Sequence, residues 1–97
     1  MSVLRHYKMT ARPGEGPALR AALLALANRV RALGGCSDVE ILRDPRDPST
    51  YVFIEHWRSI DDHEASGKQL GRAAFEPVLA LLAGPPDGRY LEAIPSG

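Results

Sequence analysis

Apolar and polar positions in the first third of the chain alternate with the period of a strand and then with that of a helix. Residues 3–10, VLRHYKMT, place successive side chains on opposite faces and predict a first strand. After a Pro-Gly break, leucines and a valine recur at steps of three and four over residues 17–33. This spacing predicts an amphipathic helix, which Gly34-Gly35 would end.

The middle of the chain predicts two more strands. Residues 36–43 alternate irregularly, whereas residues 51–57, YVFIEHW, carry apolar side chains on both faces. Between them, DPRDPS predicts a loop, because proline lacks the N–H that a strand ladder requires and aspartate favours turns. We therefore expect an antiparallel pair in a sheet that is covered on both sides.

The last third predicts a broken helical region and a final strand. Ser59 followed by two aspartates resembles a capped helix start, while Gly67, Gly71 and Pro77 predict an interruption before a second helical piece near residues 76–83. GPPDG predicts a turn, residues 89–94 a last short strand, and residues 95–97 a frayed end. The expected buried stripe of the second piece consists of Phe75, Val78, Leu79 and Leu82.

This β-α-β-β-α-β order predicts an α+β fold, the ferredoxin-like split βαβ arrangement with a four-stranded antiparallel sheet and helices on one face. With 97 residues the chain has room for one core, so we expect a single domain over residues 1–97. The other sheet face would show Leu4, Val52 and Ile54 to water. We expect two copies to cover this apolar patch by pairing face to face as a homodimer.

Composition excludes several classes of partner. Twelve basic residues balance twelve acidic ones, so no large positive field is present to attract nucleic acid or an anionic membrane. No apolar run approaches the ~20 residues of a membrane span, and the first ten residues lack the apolar core of a signal peptide. The single cysteine, Cys36, fits a reducing compartment. We therefore expect a cytoplasmic protein with no nucleic-acid or membrane partner.

A family resemblance lies mainly in residues 50–75, TYVFIEHWRSIDDHEASGKQLGRAAF. Its aromatic strand contains Tyr51 and ends in Glu55-x-Trp57, and a helix led by Ser59 and then Phe75 follow. Together with the opening strand, the Pro-Gly break and the leucine helix, this segment resembles the antibiotic biosynthesis monooxygenase family over nearly the whole chain. The resemblance implies a dimeric α+β barrel, in a superfamily that includes oxygenases of quinols and polyketide phenols.

The chain departs from the family at positions that bear on chemistry. Ser66 and Gly71 stand where many members have helix histidines, and Gly67 stands where haem-degrading members have theirs, so haem is not expected. Phenol-oxidising members carry a polar aromatic residue six positions past the tryptophan, the place of His63. Those members use an asparagine four positions before the tryptophan, where this chain has Phe53.

The resemblance implies a cofactor-free reaction, in which a small aromatic phenol or hydroquinone loses a proton and the anion reacts with dioxygen. His63 is the candidate base, since its pKa lies near the operating pH, although it could equally be a solvated first-turn residue. Arg72 could stabilise a phenolate or peroxide anion, or simply lie at the surface. These two are the expected catalytic residues; the residues expected to bind substrate are Trp57, Tyr7, Phe53, Glu55 and Phe75.

Two of these residues have structural interpretations beside the functional one. Trp57 could stack on an aromatic substrate or fill the space between sheet and helices. Glu55, if buried, would need a partner, and Arg5 or Arg72 could provide one. This role for Glu55 would belong to the fold rather than to catalysis.

No metal and no cofactor are expected. The spacing of His56, His63, Asp61 and Asp62 matches neither an i, i+4 histidine pair nor a Cys/His site, and no glycine-rich nucleotide motif is present. Two other functions remain open beside the oxygenase. One is a binding or sensing domain that has the barrel and the pocket without the reaction, and the other is an isomerase or lyase of the same superfamily.

Overall fold

Four strands form one antiparallel sheet in a computed structural model that describes residues 2–95. They are β1 (Val3–Thr10), β2 (Cys36–Asp44), β3 (Asp47–Trp57) and β4 (Asp87–Leu91), and their order across the sheet is β2-β3-β1-β4. The central strands β1 and β3 pair along their length, from Val3 opposite Trp57 to Thr10 opposite Thr50. The predicted α+β fold with a four-stranded antiparallel sheet is confirmed.

The helical elements are α1 (Gly16–Arg31), α2 (Ile60–Leu70), a 3₁₀ turn (Arg72–Ala74) and α3 (Glu76–Leu79). α1 packs on the sheet through an apolar stripe. α2 begins as predicted at Ser59, whose hydroxyl accepts a hydrogen bond from the Asp62 N–H at 3.0 Å. It ends at Gly71, whose φ of 84° favours glycine and turns the chain into the 3₁₀ turn. The buried side chains of the α1 stripe are Leu19, Leu23, Leu26, Ala27 and Val30.

All the helices lie on one face of the sheet. The β3 side chains that point to this face are buried, with exposed fractions of 0% for Phe53, 2% for Glu55 and 2% for Trp57. On the other face, Ile54 and His56 are only half-buried. Residues 2–95 therefore cover only one face of the sheet, and they do not supply the second layer expected from the apolar pattern.

The predicted loop DPRDPS is shorter in the structure, because β3 begins at Asp47 and only Pro45 and Arg46 form the turn. Pro48 is tolerated inside the strand because the pairing of β2 with β3 slips there, so no ladder bond requires its N–H. The second helical piece ends at Leu79 instead of residue 83. Beyond it, the chain runs along the end of β1 and bonds to it, with the Ala83 N–H donating to the Thr10 carbonyl.

The last strand is Asp87–Leu91 and not residues 89–94 as predicted, so it includes part of the expected turn. Gly88 suits the strand because a Cβ there would lie 2.8 Å from an Arg5 guanidinium nitrogen and 2.9 Å from the Tyr7 ring. Of the predicted frayed end, Ser96 and Gly97 lie outside the described residues. No helix within residues 2–95 is long and apolar enough to cross a membrane.

Candidate active site

A cavity of about 310 Å³ lies between the helix-covered face of the sheet and the helical elements. Its floor comes from β1 and β3, and its walls come from α1, the 3₁₀ turn and α3. Most of the lining is apolar, as in small-molecule sites generally, and the polar groups are few. The lining side chains are Tyr7, Met9, Leu26, Phe53, Glu55, Arg72, Phe75, Val78, Leu79 and Pro86.

Glu55 is the buried acid of this cavity. Its Oε1 accepts a hydrogen bond from the Trp57 indole N–H at 2.9 Å, a contact between two side chains of the same strand face. Burial raises the pKa of the Glu55 carboxyl above its ordinary range, while the Trp57 hydrogen bond and the charge of Arg5 oppose the rise. The expected pairing with Arg5 or Arg72 is wrong, because no arginine among the described residues lies within 4.0 Å of the carboxylate.

His63 lies behind the cavity wall, where α2 places it over the sheet. Its Nε2 lies 3.3 Å from the Tyr7 hydroxyl and its Nδ1 lies 2.6 Å from the Tyr90 hydroxyl, so both ring nitrogens have phenolic partners. The ring also meets Trp57 edge to face, with the centroids 5.4 Å apart. Burial, helped by the charge of Arg5, lowers the pKa of His63 and favours its neutral form.

The structure brings all seven predicted site residues into one region. Five of them line the cavity directly, whereas Trp57 and His63 form the layer behind it. Arg72 lines the cavity and is also exposed to solvent. The five that line the cavity are Tyr7, Phe53, Glu55, Arg72 and Phe75.

Two residues of this region were not predicted as part of the site. The Arg5 guanidinium stacks on the ring of Tyr90 at 4.4 Å and over that of Tyr7 at 5.0 Å. Arg5 shares a strand face with Tyr7, so the alternation in β1 already placed the two together. Tyr90 could not be found in this way, because its position opposite Arg5 depends on the register of β4.

The polar groups can bind and deprotonate a hydroxyl compound. A neutral His63 and the Glu55 carboxylate are both proton acceptors, and the Tyr7 hydroxyl connects the cavity to His63. Burial, and after it the negative charge of Glu55, raises the pKa of the Tyr7 phenol, which therefore remains a neutral hydrogen-bonding group. The positive charges of Arg5 and Arg72 favour an anion formed nearby.

His56 lies on the other face of the sheet and has no part in this site. Its Nε2 lies 3.6 Å from Glu40, and ligand atoms of Asp38, Glu40 and His56 come within 4.8 Å of one another. Both carboxylates are exposed, and exposed acidic groups commonly cluster without binding an ion. The expected absence of a metal stays a prediction.

The sequence profile of one family, antibiotic biosynthesis monooxygenase, matches residues 2–76. This match covers the first three strands, α1, α2 and the 3₁₀ turn, and therefore most of the residues around the cavity. No protein of curated function matches the sequence.

Solved structures resemble the chain over almost its full length. A protein from Chloroflexus aurantiacus, provisionally described as an antibiotic biosynthesis monooxygenase, is 26% identical, with a TM-score of 0.80 over 100% of this chain and 97% of its own. A protein from Bordetella bronchiseptica with the same provisional description is 17% identical, with a TM-score of 0.84 over 96% and 97% of the two chains. SnoaB from Streptomyces nogalater, a cofactor-independent oxygenase, is 15% identical, with a TM-score of 0.82 over 98% and 95%.

Proposed function

Because the chain belongs to the antibiotic biosynthesis monooxygenase family, we propose that it is a cofactor-independent monooxygenase that oxidises a small quinol or phenolic compound with dioxygen. The observation that carries this proposal is the cavity lining, in which Tyr7, Glu55 and Arg72 are the polar side chains among apolar ones. An aromatic ring fits the apolar part of the lining, and a ring hydroxyl can bind to these polar groups. The cofactor-independent chemistry of SnoaB, which shares the fold, supports the same reaction class.

In the proposed reaction, the substrate loses the proton of a ring hydroxyl and the electron-rich anion reacts with dioxygen. His63 is the base of the site and reaches the cavity through the Tyr7 hydroxyl at 3.3 Å. Arg72 stabilises the anion, while Phe53 and Phe75 hold the aromatic ring. Trp57 forms the layer behind the cavity and holds Glu55 in place.

We further propose that the working form is a homodimer in the cytoplasm, in which the sheet face without helices is covered by a second copy. Leu42 and Leu91 are 49% and 43% exposed at the two edges of this face. Between them, His6 Nδ1 is buried without a hydrogen-bond partner among the described residues, and so is His56 Nε2, which lies 3.6 Å from Glu40. Apolar side chains and unsatisfied nitrogens on one face are what a partner surface would cover and satisfy.

The proposed activity is tested by oxygen uptake with hydroquinones of graded size, measured for the parent protein and for His63→Ala. The parent should consume oxygen with those hydroquinones that fit the cavity. The variant should be slower by at least about 100-fold, since a general base contributes that much or more. Asp61→Ala, on the exposed side of α2, is the matched control and should keep the parent rate.

The second candidate is a binding module, and it is favoured by the position of His63 behind the lining instead of in it. A module of this kind would show quenching of Trp57 fluorescence by aromatic ligands but no oxygen uptake with any hydroquinone. Turnover of a substrate without oxygen would instead indicate an isomerase or lyase. The three functions therefore give three different combinations of binding and oxygen dependence.

A further inference from the structure

The Glu55 carboxyl group has one oxygen engaged and one oxygen available. Oε1 accepts from the Trp57 indole N–H at 2.9 Å and lies 3.7 Å from His63 Nε2. Oε2 accepts no hydrogen bond from the described residues, yet it is not among the side-chain atoms sealed in the protein without a partner. Since Glu55 lines the cavity while the residue as a whole is only 2% exposed, Oε2 is accessible through the cavity.

We propose that Glu55 is a further catalytic residue, the group that takes the proton directly from the substrate hydroxyl and stands between the substrate and His63. This inference rests on the proposed oxygenase function and deepens it. The geometry favours Glu55 as the first acceptor because its carboxyl group lies in the cavity wall, whereas His63 does not line the cavity. Its contact with His63 then joins both acceptors in one path.

The proton balance of this step is simple. The O–H bond of the substrate breaks, its electron pair stays on the oxygen as a phenolate, and the proton bonds to Glu55 Oε2. A half-turn of the carboxyl group about its Cγ–Cδ bond brings that proton to the side of His63 Nε2, which can accept it while Nδ1 donates to the Tyr90 hydroxyl. The carboxylate is then restored, and the cavity holds the anion.

The surroundings of Glu55 favour uptake of a proton by its carboxyl group. Burial raises its pKa, and this narrows the gap to the pKa of a phenolic hydroxyl. Charged and titratable groups from five elements lie around it, and among them the charge of Arg5 lowers its pKa. The neighbouring groups are Arg5 and Tyr7 from β1, Cys36 from β2, His63 from α2, Arg72 from the 3₁₀ turn and Tyr90 from β4.

The first test is turnover by Glu55→Gln. Glutamine has the size of glutamate and can still accept from the Trp57 N–H, but it cannot take up a proton in this range of pH. Oxygen uptake should fall by at least about 100-fold, while quenching of Trp57 by an aromatic ligand should be unchanged. Glu76→Gln, an exposed carboxylate next to the cavity residue Phe75, is the matched control and should keep the parent rate. A Glu55→Gln variant with the parent rate would overturn the inference.

The second test needs neither oxygen nor turnover. The probe is 2,4-dinitrophenol, which is already ionised at neutral pH and absorbs where Trp57 emits. If Glu55 is the acceptor, binding of this phenolate to the parent should take up a proton from solution, because a carboxylate and a phenolate facing each other share one. Calorimetry in two buffers of different ionisation enthalpy measures this uptake, which Glu55→Gln should lose.

These results separate the inference from the function on which it rests. Absence of oxygen uptake by the parent, with proton uptake that depends on Glu55, would reject the oxygenase and keep Glu55 as the acceptor. Oxygen uptake that depends on His63 but not on Glu55 would keep the oxygenase and reject Glu55. Equal proton uptake in parent and variant, or no binding of 2,4-dinitrophenol by the folded parent, would also overturn the inference.

Discussion

The two faces of the sheet differ in burial, although the same strands form both. On the helix-covered face, Phe53, Glu55 and Trp57 are at most 2% exposed, and every polar atom of Glu55 and Trp57 is either hydrogen-bonded or accessible through the cavity. On the other face, Ile54 and His56 remain half-buried, and His56 Nε2 has no hydrogen-bond partner among the described residues. Consecutive residues of β3 therefore alternate between a buried face and a half-buried one. Unsatisfied nitrogens do not by themselves distinguish the faces, because Arg5 Nε, opposite Glu55 on the buried face, also lacks a hydrogen-bond partner among the described residues.

One face of the sheet is buried by the chain's own helices. The other is the face that we propose a second copy covers. The covered face contains the core and Glu55, and the cavity there is lined by residues of one chain. The other face contributes exposed apolar side chains, such as Leu42 and Leu91, beside the cluster of Asp38, Glu40 and His56. Substitutions at neighbouring positions of β3 should therefore affect folding in one case and association in the other.

Phe53→Ala should have the largest effect on stability. Phe53 is fully buried and lines the cavity, so truncation enlarges the cavity and should cost about 3–5 kcal/mol of unfolding free energy. Urea denaturation followed by Trp57 fluorescence measures the cost. The difference in unfolding free energy between the variant and the parent should not change with protein concentration, because the lost contacts lie within one chain.

Ile54→Ala, one position along, provides the comparison. If a second copy covers Ile54, part of the stability lost in the variant comes from weaker dimerisation. The measured loss of unfolding free energy should then change with protein concentration. A cost for Ile54→Ala as large as that of Phe53→Ala, and independent of concentration, would show that the two faces are equally complete in one chain.

Ile54→Lys should have the next largest effect, and on association instead of folding. A lysine on the sheet face without helices would bury a charge without a partner in the proposed interface. This should weaken dimerisation by at least about 100-fold, or ~3 kcal/mol. Sedimentation equilibrium measures this change. Ile60→Lys is the control, since Ile60 is a similarly apolar residue, 42% exposed at the start of α2. A parent that sediments as a monomer at micromolar concentration would contradict the proposed dimer.

Much of this fold could be predicted from the periodicity of the sequence. β1 was predicted with its observed bounds, α1 to within two residues at each end, and the Ser59 cap at the correct residue. These elements are local: alternation, leucine spacing and a hydroxyl before two aspartates need no information from the rest of the chain. Proline and glycine were harder to interpret, because Pro48 and Gly88 are placed by the neighbouring strands.

The candidate site could be predicted in its membership but not in its contacts. The alternation in β3 placed Phe53, Glu55 and Trp57 on one face, and the helix was expected to bring His63 near them. Whether Glu55 meets an arginine or a histidine depends on rotamers and on the register of β4. The sequence offered Arg5 or Arg72 as a partner for a buried Glu55, whereas in the structure Arg5 stacks on Tyr90 and Glu55 accepts from Trp57.

Glu55→Gln should change the pH dependence of stability. Burial raises the folded-state pKa of Glu55 above its ordinary value of 4.5, so the carboxyl stabilises the fold fully below that pH, and this contribution is lost as pH rises through the raised value. Glutamine does not titrate, so the stability of the variant relative to the parent should increase as the pH rises above 4.5 and level off once the pH exceeds the raised pKa of Glu55. Urea denaturation across this range measures the difference, and a constant or falling difference would contradict the raised pKa.

The pKa shift of His63 changes stability with pH in the opposite sense. Its lowered pKa gives stability that is present above 6.5, its ordinary value, and is lost as pH falls through the lowered value. Since both proteins contain His63, its contribution should largely cancel in the comparison. Glu76→Gln, which removes an exposed carboxylate, supplies the matched control and should show no comparable slope.

Ser59→Ala should have the smallest effect of the series, and it tests how firmly the covered face holds α2. Ser66 is the only buried side chain of α2, so polar contacts such as the Ser59 cap hold this helix where apolar packing holds α1. Loss of the cap should cost about 1 kcal/mol and lower Tm by roughly 4–8 °C. Ser37→Ala, at an exposed hydroxyl of β2, should have a smaller effect. Since α2 has one buried side chain, hydrogen exchange in the variant should increase first in α2, the helix that carries His63, while β3 stays protected. Equal exchange in both elements would instead mean that the helix and the sheet unfold as one unit.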